Sequence, residues 1–148
     1  MKTPVIRAAV PADAQQMAAL DRICFTVPWS LESFEQELTV NDRAIYIVAE
    51  IDGQLAGYAG MWQILDEGHI TNVAVSPEHR RQGIAAAVLT ALIAEGGRRG
   101  IRAFTLEVRA SNVAAQELYR GFGFQTAGIR PGYYEDNKEA ALIMWRTE

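Results

Sequence analysis

Apolar residues recur along the chain with two periods, one typical of strands and the other typical of helices. Runs with apolar residues at alternate positions or in short blocks predict seven strands, over residues 6–10, 44–51, 55–64, 68–75, 103–108, 124–133 and 140–145. Apolar residues three and four positions apart predict four helices, over residues 13–25, 30–38, 83–99 and 112–120. Because strands and helices intermix along the whole sequence, we expect one mixed α/β domain over residues 1–148.

Several predicted elements carry local signals at their ends. Asp52-Gly53 between two strands predicts a tight hairpin, and Ser30 is a candidate cap for the second helix. Gly100 and Gly121 are expected to end the third and fourth helices. The buried stripe predicted for the first helix comprises Met17, Leu20, Ile23 and Cys24. The stripe predicted for the third comprises Ile84, Val88, Leu92 and Ile93.

Composition narrows the class of protein. The chain has 148 residues, 49% of them hydrophobic, which is enough for one substantial core. Its one cysteine, Cys24, excludes an intramolecular disulfide, and no apolar run approaches the ~20 residues that span a bilayer. We therefore expect a cytoplasmic protein that does not contact membranes. A net charge of −4 argues against direct nucleic-acid binding, while the arginine pairs 80–81 and 98–99 suit a small anion.

The turn at residues 80–85, Arg-Arg-Gln-Gly-Ile-Ala, lies between a predicted strand and a predicted helix. Backbone N–H groups and the positive end of the helix dipole would meet there, and Gly83 would let a phosphate approach closely. The glycine spacings of Rossmann and P-loop sites are missing from the sequence. The alternative is an ordinary helix start with solvated arginines.

A second block, residues 106–124, follows a strand with a short helix. Glu107 would lie on the opposite strand face from the apolar residues around it, either as a reactive carboxylate or paired with Arg109. Ser111 or Asn112 would cap the helix, and Tyr119 would either act chemically or fill the core.

Three features, in this order, resemble the GNAT superfamily of N-acetyltransferases. They are Arg80-x-x-Gly83-x-Ala85 after a strand, Asn112 at a helix start, and Leu118-Tyr119-x-x-x-Gly123-Phe124. Four segments resemble, more narrowly, the bacterial branch that acetylates the N-terminal alanine of small-subunit ribosomal protein eighteen. These segments are residues 28–30, 72–75, 106–112 and 130–134. The resemblance covers most of the chain and implies a GNAT fold, with a mixed, mostly antiparallel central sheet flanked by about four helices, and acetyl-CoA as cosubstrate.

The resemblance also implies roles for particular residues. Glu107 would be the general base and Tyr119 the general acid, while Asn112 would contact the cofactor. Strand backbone groups would hold the pantetheine arm and acetyl carbonyl at Val73, Ala74 and Val75. The turn would hold the pyrophosphate with Arg81, Gln82, Gly83, Ile84, Ala85 and Ala86, although relatives usually have glycine where Ala85 stands. The peptide groove would be bordered by Trp29, Tyr133 and Tyr134, which are otherwise core aromatics.

Elementary chemistry is consistent with these roles. An α-amine with a pKa of about 7.7 to 8.0 must lose a proton before it attacks, and Glu107 could take that proton. Negative charge on the thioester oxygen would be stabilised by a backbone N–H near Val75, and Tyr119 would protonate the departing thiolate. We expect direct transfer, because Cys24 lies in a helix stripe without an evident base.

Two other functions remain open from the sequence. One is acetylation of a lysine or a small amine. A lysine side chain, with a pKa near 10.4, is harder for the base to deprotonate, and this mildly favours an α-amine as the acceptor. The other is a non-catalytic acyl-CoA-binding module. We expect no metal site, because His69 and His79 have no ligand cluster at suitable spacing. The acidic pair Glu135 and Asp136 would either attract a basic peptide or be solvated.

Overall fold

The computed structural model of the protein describes residues 3–147, so residues 1, 2 and 148 of the predicted domain lie outside the described part. Its strands are β1 (Val5–Ala8), β2 (Ala44–Ile51), β3 (Gln54–Ile64), β4 (Glu67–Val75), β5 (Ala103–Arg109), β6 (Gln125–Arg130) and β7 (Ala141–Thr147). Its α-helices are α1 (Ala14–Cys24), α2 (Leu31–Thr39), α3 (Ile84–Arg98) and α4 (Val113–Gly121). The described strands form one sheet in the order β1-β2-β3-β4-β5-β7-β6.

The sheet is mixed but mostly antiparallel. Every neighbouring pair of described strands is antiparallel except β4 and β5, which run parallel. The long crossover through α3 makes this parallel arrangement possible, because parallel strands cannot be joined by a tight hairpin. The predicted fold class, a mixed sheet with four helices, is confirmed.

Each face of the sheet carries its own hydrophobic core. On one face, α3 and α4 pack against the sheet, and the predicted α3 stripe is buried at Ile84, Val88, Leu92 and Ile93. On the other face, α1 and α2 contribute Met17, Leu20 and Phe34, which pack with Val48 and Tyr58 of the sheet. The sheet is therefore covered on both sides, which is why its central strands are nearly continuous apolar runs.

The stripe predicted for α1 is wrong at one position. Ile23 is 65% exposed, whereas Asp21 is only 1% exposed. The buried positions of this helix are Ala14, Met17, Ala18, Leu20 and Asp21. A carboxylate can occupy this stripe because the Tyr58 hydroxyl and the Trp29 backbone N–H donate hydrogen bonds to it.

Local signals placed several element ends correctly. Asp52 and Gly53 have φ values of 54° and 78°, as a type I′ hairpin turn requires. The Ser30 side chain accepts from the Ser33 N–H at 3.1 Å and caps α2. The predicted strand 124–133 is too long, because β6 ends at Arg130 and Tyr133 lies in the following loop. Within residues 3–147, no helix is long and apolar enough to cross a membrane.

Candidate active site

A gap opens in the sheet between β4 and β5. The two strands pair only where Glu67, Gly68 and His69 face residues 103–105. Beyond these pairs the strands diverge, and a cavity of about 540 Å³ and another of about 890 Å³ border the gap. Six residues line both cavities: Cys24, Phe25, Val73, Asn112, Ala115 and Tyr119. The gap thus brings the two cavities together along one wall.

The edge of β4 that faces the gap presents backbone groups of Val73 and Val75. The Ser76 N–H donates to Ala56 O on β3 at 2.8 Å, whereas Val75 O lies 3.4 Å from Cys24 Sγ, on the side away from β3. Because backbone groups alternate in direction along a strand, Val73 also faces the gap and Ala74 faces β3. Of the three predicted backbone contacts, Val73 and Val75 are positioned to hold an arm in the gap. Ala74 lines the smaller cavity, but its backbone N–H and C=O groups point toward β3.

The turn before α3 combines an unusual backbone conformation with unpaired N–H groups. Arg81 and Gly83 have left-handed backbone conformations, with φ values of 63° and 78°. The first hydrogen bond of the helix is from the Ala87 N–H to Gly83 O at 3.0 Å, so the N–H groups at residues 84–86 have no intrahelical acceptor. The smaller cavity is lined by Arg81, Gly83, Ile84, Ala85 and Ala86, but not by Gln82. Open donors, a helix N-terminus and an arginine fit a pyrophosphate.

Glu107 and Arg109 do not pair with each other. Arg109 instead forms salt bridges with Asp136 at 2.9 Å and Glu139 at 3.2 Å, and its guanidinium lies 4.0 Å from the centre of the Tyr134 ring. Glu107 is exposed, lines the larger cavity and makes no hydrogen bond with any described residue. Its carboxylate is therefore available to a substrate on that side of the gap.

Tyr119 packs in the core and also lies on the wall that the two cavities share. Its ring packs edge to face against Phe124 with centroids 5.9 Å apart, and the residue is 9% exposed. It also lines both cavities, and its hydroxyl makes no hydrogen bond with a described residue. Burial raises the pKa of Tyr119 to about 12, so the hydroxyl keeps its proton at neutral pH.

Asn112 is the cap of α4, as one of the alternatives predicted. Its Oδ1 accepts from the Ala115 N–H at 3.1 Å. Since Asn112 also lines both cavities, its Nδ2 is the group left to contact a ligand.

Aromatic residues border the larger cavity. Trp29, Tyr133 and Tyr134 all line it, so they are not simply core aromatics. Tyr133 is 39% exposed, and its ring meets the Tyr134 ring edge to face with centroids 5.0 Å apart. The rings of Trp29 and Phe34 pack with centroids 5.5 Å apart. Asp136 is engaged rather than free, because Thr26 donates to it at 2.8 Å and Arg109 pairs with it. Both contacts lower the pKa of Asp136.

The remaining candidates from the sequence are the two histidines and Cys24. His69 lies 3.1 Å from Glu67 and meets the edge of Trp145, whereas His79 lines the smaller cavity. No group of three or more potential ligands that could hold a metal occurs within residues 3–147. Burial raises the pKa of the Cys24 thiol, which makes this residue a weak nucleophile at neutral pH.

Comparison with known proteins assigns the chain to a family. A family model described as the acetyltransferase (GNAT) family matches residues 14–124. The chain belongs to the GNAT acetyltransferase family. It is therefore an N-acetyltransferase that uses acetyl-CoA as cosubstrate.

Its relatives are similar over most of their length. A Bacillus subtilis (strain 168) protein, provisionally named [ribosomal protein bS18]-alanine N-acetyltransferase, is 44% identical over 135 residues, which are 91% of this chain and 89% of that protein. The [ribosomal protein bS18]-alanine N-acetyltransferase of Escherichia coli (strain K12) is 40% identical over 79% of each chain. The crystal structure of the Escherichia coli ribosomal-protein-S18-alanine N-acetyltransferase superposes with a TM-score of 0.90 and 34% identity, covering 98% of this chain and 94% of that one.

The acetyltransferase has polar residues at this site that sequence patterns did not reveal. Asp21 and Tyr58, which are buried, and Asn72, which is half-buried, form a hydrogen-bonded chain beside the larger cavity. Burial raises the pKa of Asp21, while the hydrogen bonds from Tyr58 and Trp29 act in the opposite direction. The burial of Asp21 could have been recognised from its position in the helix. It lies seven residues after Ala14, on the same helix face as Met17 and Leu20.

Proposed function

We propose that the protein transfers the acetyl group of acetyl-CoA to the α-amine of an N-terminal alanine, and that its acceptor is ribosomal protein bS18. The observation that carries this proposal is the position of Tyr119 on the wall shared by two cavities, one with an anion-binding turn and the other with a free carboxylate. The names of the relatives at 40% and 44% identity support the choice of acceptor.

The smaller cavity is the proposed donor site. Arg81 and the open N–H groups of residues 84–86 would bind the pyrophosphate, and Gly83 supplies the left-handed turn that aims them. The backbone edge at Val73 and Val75 would hold the pantetheine arm, and the Asn112 amide would donate to it. Gln82, whose side chain does not line the cavity, would contact the pyrophosphate through its backbone. When bound, acetyl-CoA supplies the activated thioester.

The larger cavity is the proposed acceptor site. Glu107 would take a proton from the incoming ammonium, directly or through one water molecule. Trp29, Tyr133 and Tyr134 would contact the first residues of the peptide, since they border the cavity from two different loops. The Val75 N–H would stabilise negative charge on the acetyl oxygen, and the Tyr119 hydroxyl would donate to the departing sulfur. Transfer is direct, without a covalent enzyme intermediate.

The acceptor also defines where the protein works. Acetylation of a bacterial ribosomal protein would take place in the cytoplasm, at the N-terminus of the protein rather than on ribosomal RNA. We therefore propose protein N-termini as partners, with no direct contact to nucleic acid.

The proposal is tested with three acceptors and mass spectrometry. The protein and acetyl-CoA are incubated with a peptide of the bS18 N-terminus, the same peptide with its α-amine blocked and an internal lysine, and a small primary amine. We expect acetylation of the first peptide at its α-amine alone. Acetylation restricted to lysine or to the small amine would contradict the alanine acceptor, and acetyl-CoA binding without any transfer would indicate a binding module.

A further inference from the structure

A chain of polar side chains crosses the core from α1 to β4. Asp21 and Tyr58 are 1% and 0% exposed, and the Tyr58 hydroxyl contacts Asp21 Oδ1. The Trp29 backbone N–H donates to Asp21 Oδ2 at 2.9 Å. Asn72 Nδ2 donates to the Tyr58 hydroxyl at 3.0 Å. The chain ends at the larger cavity, which Asn72 lines together with Glu107 and Trp29.

An irregularity in β4 turns Asn72 toward this chain. Gly60 pairs with Asn72 but Met61 pairs with Ile70, so Thr71 is an extra residue in β4. Ile70 packs in the α3-side core, whereas Asn72 contacts Tyr58 in the core on the α1 side. Without the extra residue, positions 70 and 72 would share one face of the strand.

The direction of each hydrogen bond follows from the carboxylate outward. A carboxylate can only accept hydrogen bonds, so the Tyr58 hydroxyl donates its one proton to Asp21. The Tyr58 oxygen can then only accept, and Asn72 must present its NH₂ group to it. The Asn72 Oδ1 is left without a hydrogen bond to any described residue.

We propose that Asn72 Oδ1 accepts a hydrogen bond from an N–H group at the amino end of the acceptor substrate, and that Asp21 is the positioning residue that fixes this polarity through Tyr58. This inference rests on the proposed acceptor site in the larger cavity. An amine or a peptide N–H is a donor, so an oxygen held in place on the cavity wall is complementary to it. The buried carboxylate prevents the Asn72 amide from turning its NH₂ group toward the substrate.

Asp21→Asn tests the inference because it reverses the chain without removing its atoms. The introduced amide oxygen still accepts from the Trp29 N–H, while its NH₂ group donates to the Tyr58 oxygen. The Tyr58 proton then turns to Asn72, whose amide flips and presents NH₂ to the cavity. Every group keeps a hydrogen-bond partner, so the thermal midpoint should change by only a few degrees.

The expected readout is a change in KM for the acceptor alone. A hydrogen bond to the acceptor substrate that is equally strong in the ground state and the transition state affects KM and leaves kcat unchanged. We expect Asp21→Asn to raise the acceptor KM about tenfold, with KM for acetyl-CoA within twofold of wild type. Asn72→Ala should raise the acceptor KM by a similar factor. The double variant should show no further rise, because both changes remove the same contact.

Tyr46→Phe is the matched control. It removes another buried tyrosine hydroxyl on the same face of the sheet, one that donates to Glu37 at 2.7 Å but does not line the larger cavity. We expect it to lower the thermal midpoint and leave the acceptor KM unchanged. This separates loss of a buried hydrogen bond from loss of substrate positioning.

Three results would overturn the inference: an unchanged acceptor KM in Asp21→Asn, an equal rise in both KM values, or effects of Asp21→Asn and Asn72→Ala that multiply. A wild-type protein that acetylates only lysine or a small amine would contradict the proposed function instead. The same variants would then be measured with that amine, which also carries N–H donors.

Discussion

Replacing Tyr119 with phenylalanine removes one oxygen from the wall between the two cavities. The ring contact with Phe124 at 5.9 Å does not involve the hydroxyl, and the hydroxyl has no hydrogen-bond partner among the described residues. The free energy of unfolding should therefore change by less than the ~0.5–1.5 kcal/mol that loss of a hydrogen bond costs. A loss of activity in Tyr119→Phe would then report on chemistry and not on folding.

The size of that loss follows from the pKa of the residue. Burial raises the pKa of Tyr119 to about 12, whereas an ordinary thiol has a pKa of about 8.5. Complete proton transfer to a free thiolate would be uphill by on the order of 5 kcal/mol at about 1.4 kcal/mol per pKa unit. Tyr119 is therefore expected to act as a hydrogen-bond donor to the sulfur as its charge develops. Such a bond to a charged group contributes about 1.5–3 kcal/mol, which is about 10- to 150-fold in rate.

Single-turnover acetyl transfer measures this step without product release. We expect the transfer rate of Tyr119→Phe to fall about 10- to 150-fold, with acetyl-CoA affinity and thermal midpoint close to wild type. An undiminished transfer rate would reject the acid role. A transfer rate that falls together with the thermal midpoint would indicate that Tyr119 has only a packing role.

Three further predictions test the donor site, the base and the fold. Gly83→Asp should lower acetyl-CoA affinity in calorimetry at least about tenfold, because a carboxylate enters the anion-binding turn; Gly83→Ala shares the φ of 78° without the charge and should lose less. Glu107→Gln should lower turnover ~10²- to 10⁴-fold at neutral pH with unchanged acetyl-CoA affinity, and wild-type turnover across the pH range would exclude the base role. Asp13→Asn should lower the free energy of unfolding at pH 7 by about 1–3 kcal/mol, because Arg7 bonds this buried carboxylate at 2.8 Å. Since Arg7 holds the pKa of Asp13 below its ordinary 3.8, this contribution is present above that value and is lost as pH falls through the lower, folded-state pKa. In urea denaturation the difference between variant and wild type should therefore be smaller at pH 2 than at pH 7.

Features that depend on neighbours in the sequence were predictable. The Asp52-Gly53 hairpin, the caps at Ser30 and Asn112 and the end of α3 before Gly100 each require only a few consecutive residues. The turn before α3 belongs to the same class, because Gly83 and the first turn of α3 are adjacent in the chain; its role in binding an anion stays a proposal. Resemblance to the family added roles for Glu107 and Tyr119, which remain proposals.

Partners distant in sequence were decided by the tertiary structure. Arg109 pairs with Asp136 and Glu139 and not with Glu107 two residues away, because the β5–β7 pairing brings the loop before β7 against it. Local spacing favoured the wrong partner. For the same reason, the sequence alone could not show that Glu107 is left free to meet a substrate.

The sequence by itself determined the order of the strands and helices, the position of most of them and which face of most of them is apolar. Only the tertiary structure decided that β4 and β5 part after His69, that Val75 faces the gap, and that Asp21 rather than Ile23 is buried. A polar residue can be buried when a partner far along the chain satisfies it, as Tyr58 does for Asp21. Hydrophobic periodicity records the tendency of each residue to leave water, but it contains no information about which distant donor or acceptor will meet it.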